Sequence, residues 1–310
     1  MDEEQWLAEF VKPVRCGMIA IVGPPNAGKS TLMNSLLGQK ISIVTPKPQT
    51  TRNRILGVVN DEKYQLILVD TPGLHKPRQP LNREMVRVAL ESLSDVDGVL
   101  YMIDCSKRMT EETEQQNLRS LTATLRTVQC PVFLALNKID LIEKEKLLHF
   151  IELYGKAFDF QAVVPISALR CDGTERLLDE LVAVLPMGPR FFPDDIPTDA
   201  TERFLVAEIV REKVFLLTGS EVPYSSAVVI DSFKEEEARQ MVTIHATIIL
   251  ERKSQKGIVI GKGGRKIKEI GSSARKDIER LLGLKVVLKL WVKIRKKWSE
   301  DGSFLKEIGF

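Results

Sequence analysis

Of 310 residues only four are cysteine, and Cys16, Cys105, Cys130 and Cys171 lie too far apart for any CxxC pair. A disulfide framework or a zinc site therefore has no support, and the four read as reduced core thiols. Nowhere do about 18 apolar residues run together, and the opening MDEEQWLAEF is acidic where an export signal would be basic and then apolar. The expectation is a soluble chain of the cytoplasm. At 44% hydrophobic and 28% charged residues, disordered and fibrous classes are equally unattractive, and the length suits two domains.

Net charge is only +3, but it is unevenly placed. Residues 197–310 hold 22 Lys and Arg against 16 Asp and Glu, and within 251–297 the count is 16 against 4. A block this basic calls for a polyanionic partner, nucleic acid first and an anionic membrane surface second.

Short apolar runs rich in branched residues fill the first 185 residues: MIAIV (18–22), ILGVV (55–59), YQLILV (64–69), VLYMI (99–103), PVFLAL (131–136) and AVVPI (162–166). Helix-period segments separate most of them, the pattern of a parallel α/β sheet. Only NDEK joins the second and third runs, so that pair is an antiparallel hairpin at one edge. Residues 186–200 carry four prolines and no periodicity and read as a linker. Beyond it, an amphipathic helix in TERFLVAEIVREKVF precedes two strand-like runs, SSAVVIDSF and MVTIHATIIL. A glycine loop, VIGKGGRK, a helix ending at Gly283 and the strand KVVLKLWVKI follow. Two domains result, an α/β nucleotide domain over 1–185 and a smaller α+β domain over 201–310.

GPPNAGKS at 23–30 follows a strand and opens the helix STLMNSLLG, the setting a phosphate loop requires. Backbone N–H groups from Gly23 to Thr31, with Asn26, Ala27 and Gly28 between, would wrap phosphate at a helix N-terminus. Lys29 should reach the β- and γ-phosphates and the Ser30 hydroxyl should ligate Mg²⁺. Asn137-Lys138-Ile139-Asp140 chooses the base. The Asp140 carboxylate can accept from guanine N1–H and the N2 amino group, whereas adenine would leave that charge desolvated. Asn137 can tie the base edge to the phosphate loop, Lys138 can cover the purine face, and Ser167-Ala168-Leu169 can offer a backbone N–H to guanine O6. Asp70-Thr71-Pro72-Gly73 places Asp70 to hold Mg²⁺ through water and the Gly73 N–H to meet the γ-phosphate. From TPKPQTTRNR (45–54), Thr51 is chosen over Thr50 to complete the metal shell, so both loops should order with GTP and relax after hydrolysis. Lys29, Thr51, Gly73 and Asn26 are the candidate catalytic groups.

The four motifs in this order resemble the translation-factor-related GTPases, and QTTRNRILG with DTPGLHKP resembles the Era family in particular. RKSQKGIVIGKGGRKIKEIGSSARKDIERLLG is similar to the KH domain that Era proteins carry at their C-terminus. That resemblance implies a P-loop GTPase domain with a mostly parallel sheet and one antiparallel edge strand, followed by a type II KH domain. It further implies binding near the 3′ end of small-subunit (16S-type) ribosomal RNA and a role in assembling that subunit, with the chain a monomer and a peripheral inner-membrane contact as a lesser option. In the basic block, Gly261, Gly263 and Gly264 allow close approach of an RNA backbone. Lys256, Lys262, Arg265, Lys266 and Lys268 supply charge, and Ile258 and Ile260 face bases.

The sequence departs from Ras-like GTPases at Leu74, where those enzymes place a water-orienting glutamine. Slow intrinsic hydrolysis is expected, with Asn26 helping to hold a monovalent cation, K⁺, near the β–γ bridge. His75 reads as a solvated loop residue, His149 and His245 as structural. Trp6, Trp291 and Trp298 read as packing residues, Trp298 also as an RNA contact, while nothing decides the role of Arg52. Two competing classes stay open. A membrane-associated signalling GTPase would use the basic block on lipid, and a P-loop ATPase would not select guanine.

Overall fold

The structure is a computed structural model that describes residues 13–73, 80–93, 95–107, 110–126, 128–219 and 221–308. Trp6, Leu74 and His75 lie outside the described residues. The chain clusters into two compact units: the described residues of 1–41, 54–76 and 85–199, and those of 42–53, 77–84 and 200–310.

In the first unit, strands β1 (Val14–Val22), β2 (Ile55–Asn60), β3 (Tyr64–Asp70), β4 (Gly98–Asp104), β5 (Val132–Asn137) and β6 (Ala162–Ile166) form a sheet in the order β2-β3-β1-β4-β5-β6. All pairings along this path are parallel except β2 with β3, the edge hairpin. A seventh strand, β7 (Met187–Gly188), runs antiparallel to the start of β1. Helices α1 (Lys29–Leu37), α2 (Pro80–Glu91), α3 (Glu111–Leu125), α4 (Lys144–Ala157) and α5 (Thr174–Ala183) fall between strands. Strands β4 and β5 are buried at every position, as expected of continuous apolar runs covered on both faces.

The proline-rich stretch is tied down along this unit. Gln65, fully buried, accepts from the N–H groups of Phe191 and Phe192 and donates to the Phe192 carbonyl. Arg190 donates to the Asp61 carbonyl at 2.7 Å, and the Val58 N–H donates to the Pro197 carbonyl. Prolines cannot donate to a ladder, so side chains and the few remaining N–H groups hold this segment.

The second unit is a three-stranded sheet, β10-β9-β8, built from β8 (Ser226–Glu236), β9 (Met241–Leu250) and β10 (Lys285–Ile294). β8 runs antiparallel to β9, with a bulge between Ile230 and Ser232, and β10 runs parallel to β9. Helices α6 (Glu202–Leu217), α7 (Lys253–Ile260) and α8 (Arg265–Leu282) cover one face, and a short helix α9 (Gly302–Glu307) follows the sheet. The RKSQKGIVI stretch is thus a full helix, α7, capped from within by Gln255, whose Oε1 accepts from the N–H groups of Glu251 and Arg252. The core alternates along the strands: Val242, Ile244, Ala246, Ile248 and Leu250 of β9 meet Val206 and Val210 of α6 and Ile270, Ala274 and Ile278 of α8.

Segment 42–53 belongs to this second unit and is pinned by charge. Arg52 is 5% exposed and donates to the carbonyls of Ser226, Pro223 and Tyr224, with its guanidinium over the Phe215 and Trp298 rings. Desolvation pushes its pKa down to about 9, with Arg211 adding to the effect and Glu208 opposing it. The Lys47 ammonium donates to the Phe215 and Thr218 carbonyls at the C-terminus of α6, where the helix dipole favours a cation. Glu212 accepts from the Val44 N–H, and Arg211 donates to the Thr50 carbonyl while paired with Glu208.

Trp298 is fully buried, with its Nε1–H donating to the Ser225 carbonyl, so it packs and is not an RNA contact. Trp291 shows the reverse: it is 45% exposed and does not serve the core. Cys171 is likewise exposed, held at φ 57° in a surface turn, and is not a core thiol.

Removing the Arg52 side chain would strip charge-assisted hydrogen bonds from three carbonyls in a buried setting. Arg52→Ala should therefore lower the stability of the second unit by about 3 kcal/mol. Urea unfolding followed by tryptophan emission reads the loss, and a change within error of zero would contradict the burial described.

Candidate nucleotide site and nucleic-acid interface

The C-terminal ends of β1, β3, β5 and β6 and the N-terminus of α1 converge in the first unit, where ligands of open α/β sheets bind. The loop between β1 and α1 bends through Gly23 (φ 142°), Asn26 (φ 65°) and Gly28 (φ 102°). A Cβ at Gly23 would lie 2.3 Å from the Met102 carbonyl oxygen, and one at Gly28 would lie 2.2 Å from Asn137 Nδ2. Both positions therefore demand glycine for the fold itself.

Lys29 is 6% exposed and donates to the Gly23 and Pro24 carbonyls at 3.1 and 3.2 Å. Burial lowers its pKa to about 8, partly offset by Asp70. Its ammonium caps the loop where phosphate oxygens would offer a better partner. The Ser30 hydroxyl donates to Asp70 Oδ2 at 2.6 Å, and Asp70 is completely buried. The two predicted metal ligands are thus side by side. A hydroxyl and a carboxylate are hard oxygen donors, too few for an all-protein cage and suited to Mg²⁺ that keeps water and phosphate in its shell. Among the described residues no cluster of three or more His, Cys, Asp or Glu could hold a metal without such help.

Gly73 abuts the same loop, since a Cβ there would lie 3.0 Å from Pro25 Cα. Thr71, to which the motif assigns no role, anchors this turn by donating to the buried Ile21 carbonyl at 2.8 Å. Thr51 is 7% exposed and lies in segment 42–53, within the second unit. Thr50 directs its hydroxyl inside its own turn, to Thr45 and the Lys47 carbonyl.

The residues predicted to select the base are joined by one side chain. Asn137, 2% exposed, donates from Nδ2 to the Ala27 carbonyl at 2.7 Å, and its Oδ1 accepts from the N–H groups of Lys138 (2.8 Å) and Ala168 (3.0 Å). Lys138 takes a left-handed conformation, φ 67°, and its ammonium donates to Asp104 Oδ2 at 2.7 Å. Asp104, also held by Ser106, stays ionised below its usual range although burial opposes this. The Asp140 carboxylate is nearly covered and pairs with Arg170 Nε at 3.4 Å. Ser167 and Ala168 are buried, while Leu169 is 80% exposed and can offer only its backbone. Asp104 and Arg170 carry no motif signature. Only the register that sets Asp104 beside Asn137, and the turn after Ser167, brings them in.

In the second unit the loop between α7 and α8 holds Gly261, Gly263 and Gly264 at φ 70°, 61° and 76°. Side chains at Gly263 and Gly264 would meet open space, whereas a Cβ at Gly261 would press to 2.7 Å of Lys266 Cβ. Lys262, Arg265 and Lys268 line the loop or the start of α8, Lys256 and Ile260 are half-buried, Ile258 is 48% exposed, and Lys266 pairs with Glu269. The N-terminus of α8 begins at Arg265, so backbone N–H groups and several cations gather at one loop.

Such an arrangement defines the class: a P-loop GTPase domain with guanine-selecting loops, followed by a KH module. Family models agree, one described as a 50S ribosome-binding GTPase matching residues 18–138 and one described as a KH domain matching residues 221–299. The chain belongs to the Era family of GTPases. It is 49% identical to GTPase Era of Syntrophus aciditrophicus over 96% of this chain and 95% of that one, and 49% identical to GTPase Era of Geobacter metallireducens over 96% and 98%. A single-substitution variant of Aquifex aeolicus Era bound to GDP·AlF4⁻ matches with a TM-score of 0.88 and 40% identity, covering 96% of this chain and 99% of that one. An Era structure in complex with MgGDPNP and nucleotides 1506–1542 of 16S ribosomal RNA matches with a TM-score of 0.89, 40% identity and the same coverage.

Asp140→Asn should weaken GDP binding about 100-fold, since one of two charge-assisted acceptors becomes a donor facing a donor. Xanthine nucleotides, which present a carbonyl in place of the 2-amino group, should lose less. Titration with labelled GDP and XDP measures this, and unchanged GDP affinity would remove Asp140 from the base site.

Proposed function

We propose that this chain hydrolyses GTP as a switch and binds small-subunit ribosomal RNA through its KH module, assisting assembly of that subunit. The observation that carries the reading is the single carboxamide of Asn137 linking the phosphate loop to both base-recognition loops. In an ATPase, Asp140 beside it would be a buried charge facing the wrong edge of the base. The RNA half draws on the family, on the relative that carries 16S nucleotides, and on the exposed glycine loop within a segment of 16 basic and 4 acidic residues. The family model that mentions the 50S subunit covers only the GTPase portion, so it says nothing of what the KH module reads.

In this reading Gly23 to Thr31 wrap the phosphates by backbone N–H groups, and Lys29 spreads its charge over the β- and γ-oxygens. Ser30 and Asp70 hold Mg²⁺, with Thr51 completing the shell in the GTP state. The relative with MgGDPNP supports the metal. When bound, Mg²⁺ neutralises charge that develops on the β–γ bridge. The Gly73 N–H meets the γ-phosphate, so its loss releases the turn that Thr71 anchors. Asn26, held at φ 65° in the loop, offers a carbonyl where K⁺ would supply the positive charge of an arginine finger. The protein works as a monomer in the cytoplasm. Among the described residues no helix is long and apolar enough to cross a membrane.

The glycine loop discriminates between RNA and lipid. Gly263 has φ 61°, a conformation aspartate tolerates, and open space around it, so Gly263→Asp should fold normally. It should cut affinity for a 16S 3′-end RNA at least about 50-fold by placing a carboxylate where phosphate must approach. Filter binding against the unaltered chain decides, and retention of RNA affinity with loss of vesicle binding would favour the membrane reading.

Turnover of GTP in potassium should exceed that in sodium at equal ionic strength by about tenfold. Asn26→Ala should abolish the difference. Equal rates in the two salts would discard the cation role.

A further inference from the structure

Among the described residues, the helices of the second unit cover one face of its sheet, the face carrying the even-numbered residues of β9 and β10. The odd-numbered positions form a second face, and it is not that of an ordinary solvated sheet. Trp291 stands on it 45% exposed, its ring 5.0 Å from that of His245 and inclined by 55°. Lys285, Lys289 and Lys293 share the face along β10, the latter two each two residues from Trp291 and so about 6.6 Å from it along the strand. Lys234 of β8 joins them through its register with Thr243. The acidic groups there are Glu236, at the far end opposite Met241, and Asp231, which accepts from the Thr247 hydroxyl at 2.6 Å. An indole lying among lysines does not pack the core and does not suit a purely aqueous face.

We propose that this outer face is a second binding site, a stacking platform on which single-stranded RNA continuing from the glycine loop lays at least one base against Trp291 and His245. The inference rests on the RNA-binding reading of the KH module. Three features identify this occupant. An aromatic pair with an open flank is a site for a base, because every base has a stacking face. Lysines spaced along one strand neutralise a backbone that runs beside it. Continuity supplies the third: among the described residues β10 pairs with β9 on one side and with no strand on the other, and α7 and α8, which bracket the loop, pack on β10 from the core side. A strand held at the loop reaches the outer face by crossing that edge of β10.

The test uses the full chain and nested RNAs from the 16S segment that the structural relative carries. The short probe is the smallest fragment whose binding is lost in Gly263→Asp. The long probe extends it by about ten nucleotides on either side, within the site size of single-strand binding surfaces. Trp291→Ala should weaken the long probe about tenfold and leave the short one unchanged, Trp291→Phe should restore most of the loss, and Lys289→Ala should reduce the salt slope for the long probe by about 0.7. In a Trp6→Phe background the long probe should shield Trp291 from acrylamide and the short one should not. This reading keeps Trp291 in place and stands even if Trp291→Ala fails to fold. No shielding, or equal effects on both probes, overturns the platform while leaving loop binding intact. Failure of the unaltered chain to bind either probe overturns the RNA reading itself. A blue shift of Trp291 on phosphatidylglycerol vesicles but not with RNA would overturn the platform and assign the face to lipid.

Discussion

A carboxamide has one donor end and one acceptor end, and at Asn137 both are committed to backbone. The donor holds the phosphate loop through Ala27, and the acceptor holds Lys138 and Ala168 in the two loops that would read the base. Strand β4 lies between β1 and β5, so this side chain must reach past a neighbouring strand to touch the phosphate loop. It can do so because Gly28 has no Cβ. One added there would sit 2.2 Å from Asn137 Nδ2. The distance between a nucleotide's phosphates and its base is bounded, and this link gives the protein an equally bounded distance between the loops that hold them. Lys138, left-handed and paired with Asp104, and Asp140, paired with Arg170, are oriented from that point outward.

The second unit rests on a different kind of constraint. Its core is apolar and regular, yet charged groups tie segment 42–53 to it. Arg52 and Lys47 donate to backbone carbonyls, and Arg211 divides its donors between the Thr50 carbonyl and the Glu208 carboxylate. Guanidinium and ammonium groups are costly to bury unless their protons find acceptors, and carbonyls left over at helix ends and turns provide acceptors without a second charge. Lys213, paired with Glu212 and Asp277, extends the same network to α8. The consequence is specificity of placement: an apolar segment could slide across α6, but one held by directional bonds at Val44, Lys47, Thr50 and Arg52 cannot.

The parts that sequence made legible are those set by periodicity or by contact with a fixed ligand shape. The six strands of the first sheet, the edge hairpin and the strands and long helices of the second unit followed from apolar runs and connection lengths, because burial leaves a strong signal; helix α7, glycine-containing and ahead of the glycine loop, did not. The loop after β1 and the ends of β3, β5 and β6 were placeable because each motif closes an apolar strand run. What escaped depends on tertiary register. Asp104 and Arg170 reach the base loops only through strand pairing and a turn. Arg52 could not be assigned from a run of polar residues, since its partners, Pro223, Tyr224 and Ser226, lie far along the chain. The tryptophans resist reading for a related reason. Trp291 and Trp298 sit in one lysine-rich stretch, and only strand parity turns the first outward while the 3-10 turn at Trp298–Glu300 carries the second into the core.

Both glycine loops look alike as text, but the structure separates the reasons for their glycines. At Gly23 and Gly28 the protein's own atoms forbid a side chain, so those residues would be required with no nucleotide ever bound. At Gly263 and Gly264 no described residue other than the chain neighbours stands within 4 Å of where a Cβ would lie, and the positive φ values favour glycine. Asparagine or aspartate could adopt those angles at modest cost. A loop that keeps glycine where its own fold leaves room is leaving that room for something outside the chain. Its surroundings supply cations and helical N–H groups, and the partner that such a concavity admits is a backbone carrying phosphates at close spacing.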